Sequence, residues 1–331
     1  MVSKAKIIGL GSYLPKRVLS NRDLEKMVNT SDEWITARTG MKERRIASKE
    51  EFTSDMGCKA AVKALDAAAV KPQELDLILC ATLTPDYVFP STACLIQSRL
   101  GAVYAAAFDV QAACTGFLYA LSVAKAYIEA DIYRNILVVA TEKLSSIVDY
   151  TDRATCILFG DGACACVVKN AKHGFAVEHV TLGADGRQSD LLILPAGGSK
   201  RPPTKETVRE GLHYLQMEGK EVFKHAVRRM ESAVKICLEK TGLEQREISW
   251  LVPHQANIRI IESLAKRFEV PRERVFLTIQ KYGNTSASSI GIALDELLRE
   301  KEIKMGEHIV LFAFGAGLTW GAAVITSDME Y

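Results

Sequence analysis

The chain has 331 residues, of which 48% are hydrophobic, 25% charged and 7% aromatic, and these proportions exclude disordered, collagen-like and low-complexity proteins. The length predicts two domains or one large domain. Because 42 Lys and Arg residues stand against 40 Asp and Glu residues, the net charge of +2 gives no reason to expect nucleic acid as a partner.

The N-terminal residues do not have the pattern of an export signal, because only a short apolar stretch precedes Gly11. The longest apolar runs, such as Ile136–Ala140 and Ile309–Ala313, have the length of a strand and are too short to span a membrane. We therefore expect a cytoplasmic protein without membrane association. The eight cysteines include no C-x-x-C pair and the histidines no H-E-x-x-H motif, which predicts reduced thiols and no metal site.

Two parts of the chain repeat the same order of predicted elements. A helix end, an acidic turn and a buried strand over Leu65–Leu79 recur 173 residues later over Leu238–Val252, and the strand Asn135–Glu142 recurs at the same offset over His308–Gly315. A strand, a tight turn and a small-residue helix over Ala106–Phe117 recur over Val275–Ser286. The alternation of strands and helices predicts an α/β fold with both sheet faces covered. We interpret the repeat as a duplication, with halves at residues 1–172 and 173–331.

The segment Gly197–Gly211 interrupts the second half. It is polar and contains two prolines, a composition typical of an exposed loop. We predict that it is an insertion at the surface.

The first residue with chemical potential in chain order is Cys114, which follows the predicted strand Phe108–Ala112 and precedes an apolar helix. A thiol at such a turn faces the positive end of the helix dipole, which predicts a pKa below the usual value of about 8.5. A small buried hydrophobic residue is the alternative. The end of a strand in an α/β fold favours the nucleophile.

The second half supplies further polar turns. His254 follows the predicted strand Ile248–Val252, and Asn284 follows the predicted strand Val275–Ile279. The position of His254 predicts a site residue, whereas Asn284 taken alone predicts only a helix N-cap. The turn Gly315–Gly317 can present backbone N–H groups to an oxyanion. A dinucleotide-binding interpretation of the glycines is weak, because Pro15 blocks the helix that would follow the first Gly pair.

Four motifs in this order resemble β-ketoacyl-acyl-carrier-protein synthase III, the initiating condensing enzyme of type II fatty-acid synthesis. They are Gln111–Phe117, His254–Asn257, Gly283–Ser288 and Gly315–Gly321. The likeness spans the chain, because Gly9–Pro15, Thr30–Ile35 and Gly160–Ala163 also match. The resemblance implies a thiolase-like fold, with two similar α/β halves in a five-layered αβαβα arrangement, and a homodimer.

The resemblance also implies a reaction. The substrates would be acyl-CoA, with acetyl-CoA as the expected primer, and malonyl-acyl-carrier protein, and the products 3-oxoacyl-acyl-carrier protein, CoA and CO₂. Cys114 would carry the acyl group, His254 and Asn284 would hold the malonyl thioester oxygen, and the backbone N–H groups of Cys114 and Ala316 would form the oxyanion hole. No cofactor is expected, since acyl-CoA is a substrate.

Contacts to the substrates are implied in the same way. The CoA contacts would be Trp34, Arg38, Arg153, Gly219 and Asn257. The carrier protein would dock on Gln255, Ala256, Asn257, Ile258, Arg259 and Lys266, of which the last two form a basic stripe on a predicted amphipathic helix. Phe89 would cap the primer pocket from the partner subunit, and its bulk favours a short primer.

Two other functions stay open at this point. A CoA-primed condensing enzyme of a secondary polyketide or quinolone pathway would have similar residues, and chalcone-synthase-like enzymes share the Cys-His-Asn set. The alternative from another class is a non-catalytic binding scaffold with a thiolase fold. Elongating synthases use Cys with two His, and hydroxymethylglutaryl-CoA synthases add a Glu, so Asn284 favours the CoA-primed, decarboxylating class.

Overall fold

A nine-stranded mixed sheet forms the centre of the protein, which a computed structural model describes over residues 4–329. Four further strands form two small sheets, β2 with β3 and β9 with β10. All the strands of the described residues are β1 (Ala5–Tyr13), β2 (Arg17–Ser20), β3 (Glu43–Ile46), β4 (Leu77–Ala81), β5 (Ala106–Val110), β6 (Asn135–Glu142), β7 (Gly162–Asn170), β8 (Gly174–Ala184), β9 (Leu192–Ile193), β10 (Gln216–Met217), β11 (Ile248–Pro253), β12 (His308–Gly315) and β13 (Thr319–Asp328). The helices are α1 (Asn21–Leu24), α2 (Asp32–Thr39), α3 (Thr53–Ala68), α4 (Thr92–Leu100), α5 (Gly116–Glu129), α6 (Arg153–Cys156), α7 (Lys205–Arg209), α8 (Gly219–Thr241), α9 (Ile258–Arg267), α10 (Ile279–Tyr282) and α11 (Ser288–Glu300).

The strand order is β11-β12-β13-β8-β1-β7-β6-β4-β5, and it repeats one pattern on both sides of its middle. In one part β4 and β6 are parallel, and β7 and β1 follow antiparallel. In the other, β11 and β12 are parallel, and β13 and β8 follow antiparallel. Strands β1 and β8 join the two parts through the pairs Lys6–Ala176 and Ile7–Phe175. A division of the chain at residues 172 and 173 stays a prediction.

Helices pack on both faces of the sheet. Helix α3 packs on β1, β6 and β7, and α8 packs on β8, β12 and β13. Helices α5 and α11 contact strands of both parts and therefore lie between them. Their burial agrees with this position: seven of the fourteen residues of α5 and ten of the thirteen residues of α11 are buried. The α/β class predicted from the alternation of elements is confirmed.

One predicted strand does not form. Only Val275 of the segment 275–279 pairs with β11, through a single parallel bridge to Leu251, and Ile279 begins α10. The cause is Gln255, whose Oε1 accepts hydrogen bonds from the backbone N–H groups of Thr278 and Ile279 at 3.0 and 3.1 Å. The Gln255 side chain therefore occupies the backbone N–H groups with which residues 278 and 279 would have joined the sheet beside β11.

The insertion predicted at residues 197–211 lies at the surface and contains the short helix α7. Within residues 4–329, no helix has both the length and the apolar character that a membrane span requires.

Candidate active site

Three polar turns meet in one cavity. Cys114, His254 and Asn284 line it together with mainly apolar side chains, and it leaves about 230 Å³ for water-sized molecules. The three residues are at least 94% buried. Residues that are 30 to 170 positions apart in the chain are therefore brought within one small, largely apolar space.

The turn that carries Cys114 is tight and closely packed. It is a single 3₁₀ turn over Ala113–Thr115, which leads into α5, and Ala113 has a positive φ of 46°. Such a conformation is strained for a residue with a Cβ and is often found at functional sites. The backbone of Gly315 packs against the turn so closely that a Cβ there would lie 2.8 Å from the Cys114 nitrogen. Only glycine fits this contact.

The thiol is protonated in the free chain. Burial raises the pKa of Cys114 to about 12, although the nearby Ser286 hydroxyl acts in the opposite direction. The expectation of a lowered pKa is therefore wrong for this state, because the loss of solvation outweighs the favourable end of α5. Cys114 therefore needs a proton acceptor when it attacks a substrate.

His254 is neutral and held in one orientation. Burial lowers its pKa to about 3, and its Nδ1 lies 2.6 Å from the hydroxyl oxygen of Ser289. That oxygen accepts from the backbone N–H of Gln255 at 3.4 Å, so we assign the Ser289 proton to the bond with Nδ1. This arrangement leaves Nε2 as a protonated donor for the cavity.

Asn284 is oriented by its own turn. Its backbone N–H donates to the Leu158 carbonyl at 2.9 Å, and its Oδ1 accepts from the backbone N–H of Ser286 at 2.8 Å. The amide Nδ2 is then the group left to donate into the cavity. Asn284 is not a helix N-cap, because α11 begins at Ser288 with Ala287 at its cap position.

The loop with Ala316 is fastened to the Cys114 turn. The Thr319 hydroxyl lies 3.1 Å from the Ala112 carbonyl and 2.9 Å from the Ala316 carbonyl, and Thr115 donates to Thr319 at 2.7 Å. These contacts fix the backbone of residue 316 next to the nucleophile. A second apolar cavity of about 440 Å³ lies along this loop, lined among others by Leu83, Ile147, Leu194, Leu215 and Ala316.

The residues expected to contact CoA lie around the mouth of the first cavity. Gly219 and Asn257 line it directly. The guanidinium carbons of Arg153 and Arg38 lie 5.0 and 5.7 Å from the ring centroid of Trp34, which is 38% exposed. Arg153 thus rests near the indole, and a third flat group between them requires Arg153 to move. The side chain of Asn257 caps α9 and donates to the Arg38 carbonyl at 3.2 Å.

The expected carrier-binding residues separate into two sets. Arg259 and Lys266 are exposed on α9, whereas Ala256 lines the cavity and Ile258 packs on Gly40. Gln255 is fully buried, since its Nε2 donates to the Pro253 carbonyl at 2.7 Å and its Oε1 receives the two bonds described above. Gln255 cannot touch a docked protein in this conformation, and that expectation is corrected: it braces the His254 turn.

Phe89 is 84% exposed and lines neither cavity of its own chain. Its expected role in the partner's pocket stays a prediction. Among the described residues, no cluster of three or more His, Cys, Asp or Glu could hold a metal ion.

Sequence reasoning missed Ser286, Ser289 and Glu142. Glu142 is the last residue of β6 and is fully buried. The rule that drew attention to Cys114, a reactive group at the end of a buried strand, would also have found Glu142. The two serines had no such signal, because their importance depends on contacts with distant residues.

The profile of the family described as 3-oxoacyl-[acyl-carrier-protein] synthase III matches residues 108–186, and the profile of its C-terminal part matches residues 238–327. The β-ketoacyl-[acyl-carrier-protein] synthase III of Chlamydia trachomatis is 58% identical over 323 residues, which are 97% of this chain and 99% of the relative. The enzyme of the same name from Caldanaerobacter subterraneus is 53% identical over 321 residues, 97% of each chain.

Solved structures agree. The 3-oxoacyl-[acyl-carrier-protein] synthase III of Aquifex aeolicus is 50% identical, with a TM-score of 0.90 over 97% of this chain and 99% of the other. The priming β-ketosynthase of the R1128 polyketide pathway is 36% identical, with a TM-score of 0.90 over 98% and 97% of the two chains. The resemblance stated from the motifs and the thiolase-like fold are both confirmed. The chain belongs to the 3-oxoacyl-[acyl-carrier-protein] synthase III family of acyltransferases.

Proposed function

We propose that the protein condenses an acyl-CoA primer with malonyl-acyl-carrier protein to give 3-oxoacyl-acyl-carrier protein, CoA and CO₂, the first condensation of fatty-acid synthesis. One observation carries the proposal. A thiol and two neutral side-chain donors, from Cys114, His254 and Asn284, converge in one buried cavity. The names of relatives that match nearly the whole chain support the same reaction.

In the first half-reaction, the Cys114 sulfur attacks the acyl-CoA thioester and keeps the acyl group. The backbone N–H groups of Cys114 and Ala316 hold the negative oxygen of the tetrahedral intermediate. The fastened loop at Thr319 supports this role, because an oxyanion hole works only if its donors are already in place. CoA then leaves through the mouth beside Gly219 and Asn257.

In the second half-reaction, malonyl-acyl-carrier protein enters and loses CO₂, and the resulting carbanion attacks the Cys114 thioester. His254 Nε2 and Asn284 Nδ2 hydrogen-bond the malonyl thioester oxygen as it becomes an enolate. The low pKa of His254 suits this task. A neutral imidazole stabilises the enolate without donating a proton that would quench the carbanion.

The substrate contacts belong to the same proposal. Trp34 and Arg153 hold the adenine of CoA by stacking and cation–π attraction, and Arg38 meets phosphate. Arg259 and Lys266 attract the acidic carrier protein at the cavity mouth. The primer is short, with Phe89 of a second copy closing its pocket.

A homodimer is supported by exposed apolar side chains in the segments that follow β4 and precede β5. We call these residues together the edge patch: Tyr87, Val88, Phe89, Val103 and Tyr104, each at least 60% exposed. It accompanies β5, the terminal strand of the sheet, which pairs only with β4 within the described chain. An exposed strand edge and several exposed large apolar side chains are both typical of an interface.

The test is intact-protein mass spectrometry with peptide mapping. Mixing with acetyl-CoA should add one acetyl group to Cys114, and malonyl-acyl-carrier protein should then remove it as acetoacetyl-carrier forms. An adduct only with a longer or branched acyl-CoA would change the primer and keep the mechanism. No adduct with any acyl-CoA would contradict the assignment of Cys114 as nucleophile.

The second candidate is a condensing enzyme that starts a secondary pathway, and the likeness to the R1128 priming ketosynthase favours it. Purified carriers separate the two. The proposed function predicts that malonyl-loaded fatty-acid carrier protein is a better acceptor than malonyl-CoA or a polyketide carrier, and the reverse order would support the second candidate.

A further inference from the structure

The proposed mechanism leaves the Cys114 proton without an acceptor. The thiol is protonated at rest, so a base must take its proton as the sulfur attacks. His254 is a weak base in this site because burial disfavours its imidazolium form. A second buried titratable group, Glu142, lies near the thiol and has no role in the steps described so far.

Glu142 is held at the end of β6 by neutral donors alone. Its carboxylate accepts hydrogen bonds from the backbone N–H groups of Leu83 and Thr84 at 3.1 and 3.2 Å, and from the hydroxyl groups of Thr84 and Thr82 at 2.6 and 3.2 Å. No ion pair to Glu142 occurs in the described part of the chain. Among the described titratable groups, the thiols of Cys114 and of Cys80 on β4 lie near enough for the charge of Glu142 to raise their pKa values.

The hydroxyl of Ser286 stands between Glu142 and Cys114. It lies within hydrogen-bonding reach of both groups, yet it forms a well-aligned bond with neither and is a buried hydroxyl without a settled partner. Ser286 has a positive φ of 51°. This backbone conformation costs free energy, so the surrounding structure must hold the residue in it. The backbone N–H of Ser286 is committed to Asn284, so only the hydroxyl is free to turn.

Packing around Gly116 supports this juxtaposition. A Cβ on Gly116 would lie 2.9 Å from the Cβ of Ala81 and 3.3 Å from the Cβ of Ala287. The start of α5 is thus wedged between the end of β4, which leads to Thr82 and Thr84, and the turn that carries Ser286. The glycine lets the nucleophile, the hydroxyl and the carboxylate approach from three different elements.

We propose that Glu142, acting through the Ser286 hydroxyl, accepts the proton of Cys114 during acyl transfer. The inference rests on the proposed function for its substrate. As the sulfur bonds to the acyl carbon, Ser286 Oγ takes the thiol proton and passes its own proton to Glu142. The bond between the acyl carbon and the CoA sulfur breaks, and the CoA thiolate takes a proton from a water molecule. Glu142 then releases the proton that it received, which converts the hydroxide back to water.

The ionisation of Glu142 is suited to this cycle. Burial raises its pKa to about 7, while the hydrogen bonds from Thr84 and Leu83 and the nearby Ser286 hydroxyl oppose the rise. The carboxylate is therefore present at and above neutral pH and is a stronger base than the imidazole of His254. A base whose pKa is near the working pH is the most effective proton acceptor. His254 stays free to serve as a donor in the second half-reaction.

Two variants test the inference, Glu142→Gln and Ser286→Ala. The rate of Cys114 acetylation by acetyl-CoA is measured by quenched-flow mass spectrometry from pH 5.5 to pH 9. In the parent protein it should rise with pH to a plateau above about pH 7, and at pH 6 it should be about a tenth of that plateau. Each variant should lose this rise and react roughly 100-fold more slowly at pH 8, the lower end of what a positioned base contributes.

The direction in which Glu142→Gln changes the acetylation rate shows whether Glu142 accepts a proton or acts only through its negative charge. The negative charge of Glu142 raises the pKa of Cys114, so if Glu142 acted only through its field, Glu142→Gln would make the reaction faster. A faster or unchanged rate in this variant would overturn the inference. Ser288→Ala is the matched control, because Ser288 is a buried serine two residues beyond Ser286, at the start of α11, whose hydroxyl donates to the Thr285 carbonyl. It should keep the parent rate and pH profile.

A second reagent keeps the inference distinct from the proposed function. Iodoacetamide alkylates Cys114 without any need for CoA recognition, and the same loss of rate is expected in Glu142→Gln and Ser286→Ala. If no acyl-CoA acylates the parent protein, the proposed function fails, and the alkylation rates still decide the inference. If Glu142→Gln does not fold, as judged by circular dichroism, Ser286→Ala decides it alone.

Discussion

Single residues in this site are tuned by burial, and burial acts in opposite directions on the two kinds of group. The protonated thiol of Cys114 and the unprotonated imidazole of His254 are both neutral forms, because a largely apolar cavity disfavours any isolated charge. The chemistry that suits such a site moves charge briefly and places neutral donors where it appears. A thiol, an imidazole and an amide suit such a site, because each is neutral at rest.

The two half-reactions should respond differently to the loss of a neutral donor. His254→Ala and Asn284→Ala should each lower the rate of condensation roughly 100-fold or more, because each removes a donor to the developing enolate. Acylation of Cys114 by acetyl-CoA should persist in both variants. Mass spectrometry measures acylation, and acetoacetyl-carrier formation measures condensation. Equal losses in both steps would show that these residues do not act selectively on the enolate.

Two buried groups should make stability depend on pH with opposite signs. The pKa of His254 falls from 6.5 to about 3 on folding, so its contribution to stability is complete above pH 6.5 and is lost as the pH falls below that value. The pKa of Glu142 rises from 4.5 to about 7, so its contribution is complete below pH 4.5 and is lost as the pH rises towards 7.

Replacement of His254 by Gln removes only the first of these effects. When the pH falls from 7 to 5, the parent protein should therefore lose about 2 kcal/mol more unfolding free energy than His254→Gln does. Urea unfolding at the two pH values measures the difference. An identical pH dependence in parent and variant would mean that His254 is not protonated on unfolding in this range.

At the scale of elements, the approach of β1 to α3 depends on glycine. A Cβ at Gly11 would lie 2.6 Å from the Ala60 carbonyl oxygen and the Ala64 nitrogen, both backbone atoms of α3. Gly11→Ala should cost about 1–3 kcal/mol of unfolding free energy, because the helix must move away from the strand. At Gly186 no atom lies within 4 Å of the position that an added Cβ would take. Gly186→Ala should stay within about 0.5 kcal/mol of the parent in urea unfolding.

Helix α9 has an exposed basic face as well as its buried one. Ile261, Leu264, Ala265 and Phe268 are buried as their spacing predicts, and Arg259 and Lys266 remain at the surface. If these cations attract the carrier protein, Arg259→Glu and Lys266→Glu should raise the KM for malonyl-acyl-carrier protein and leave acetylation of Cys114 unchanged.

The control for this charge reversal is Lys71→Glu. Lys71 is exposed just before β4, at the end of the strand opposite to the Cys114 turn, and the variant should keep the parent KM. The effect on α9 should also shrink at high salt, because screening weakens attraction between exposed charges. A KM that ignores both charge and salt would exclude α9 as the docking element.

For the whole molecule, the edge patch predicts the assembly. Tyr104→Glu and Val88→Asp should shift a dimer towards monomer in size-exclusion chromatography with light scattering, because each places a charge in an apolar interface. Ile132→Asp is the control, since Ile132 is 58% exposed and lies outside the edge patch. A parent protein that is monomeric at micromolar concentration would contradict the proposed homodimer.

The sequence by itself determined the class of fold, the order of its elements and the family. Local patterns were sufficient because the strands, the amphipathic helices and the four motifs each lie within short segments. Cys114 and His254 were found in the same way, since each follows a predicted strand, whereas Asn284 was assigned to the site only through the family resemblance. The sequence could not show that Gln255 is a buried brace, because its partners at Thr278 and Ile279 are more than twenty residues away.

Only the tertiary structure decided the protonation of the site and the neighbours of the nucleophile. The helix end beside Cys114 suggested a lowered pKa, and burial by distant elements reversed it. Glu142, Ser286 and Ser289 entered the account for the same reason: they approach the reacting groups from β6 and from the turn before α11. Desolvation and hydrogen bonding depend on what surrounds a side chain in space, and the packing of several elements fixes those surroundings.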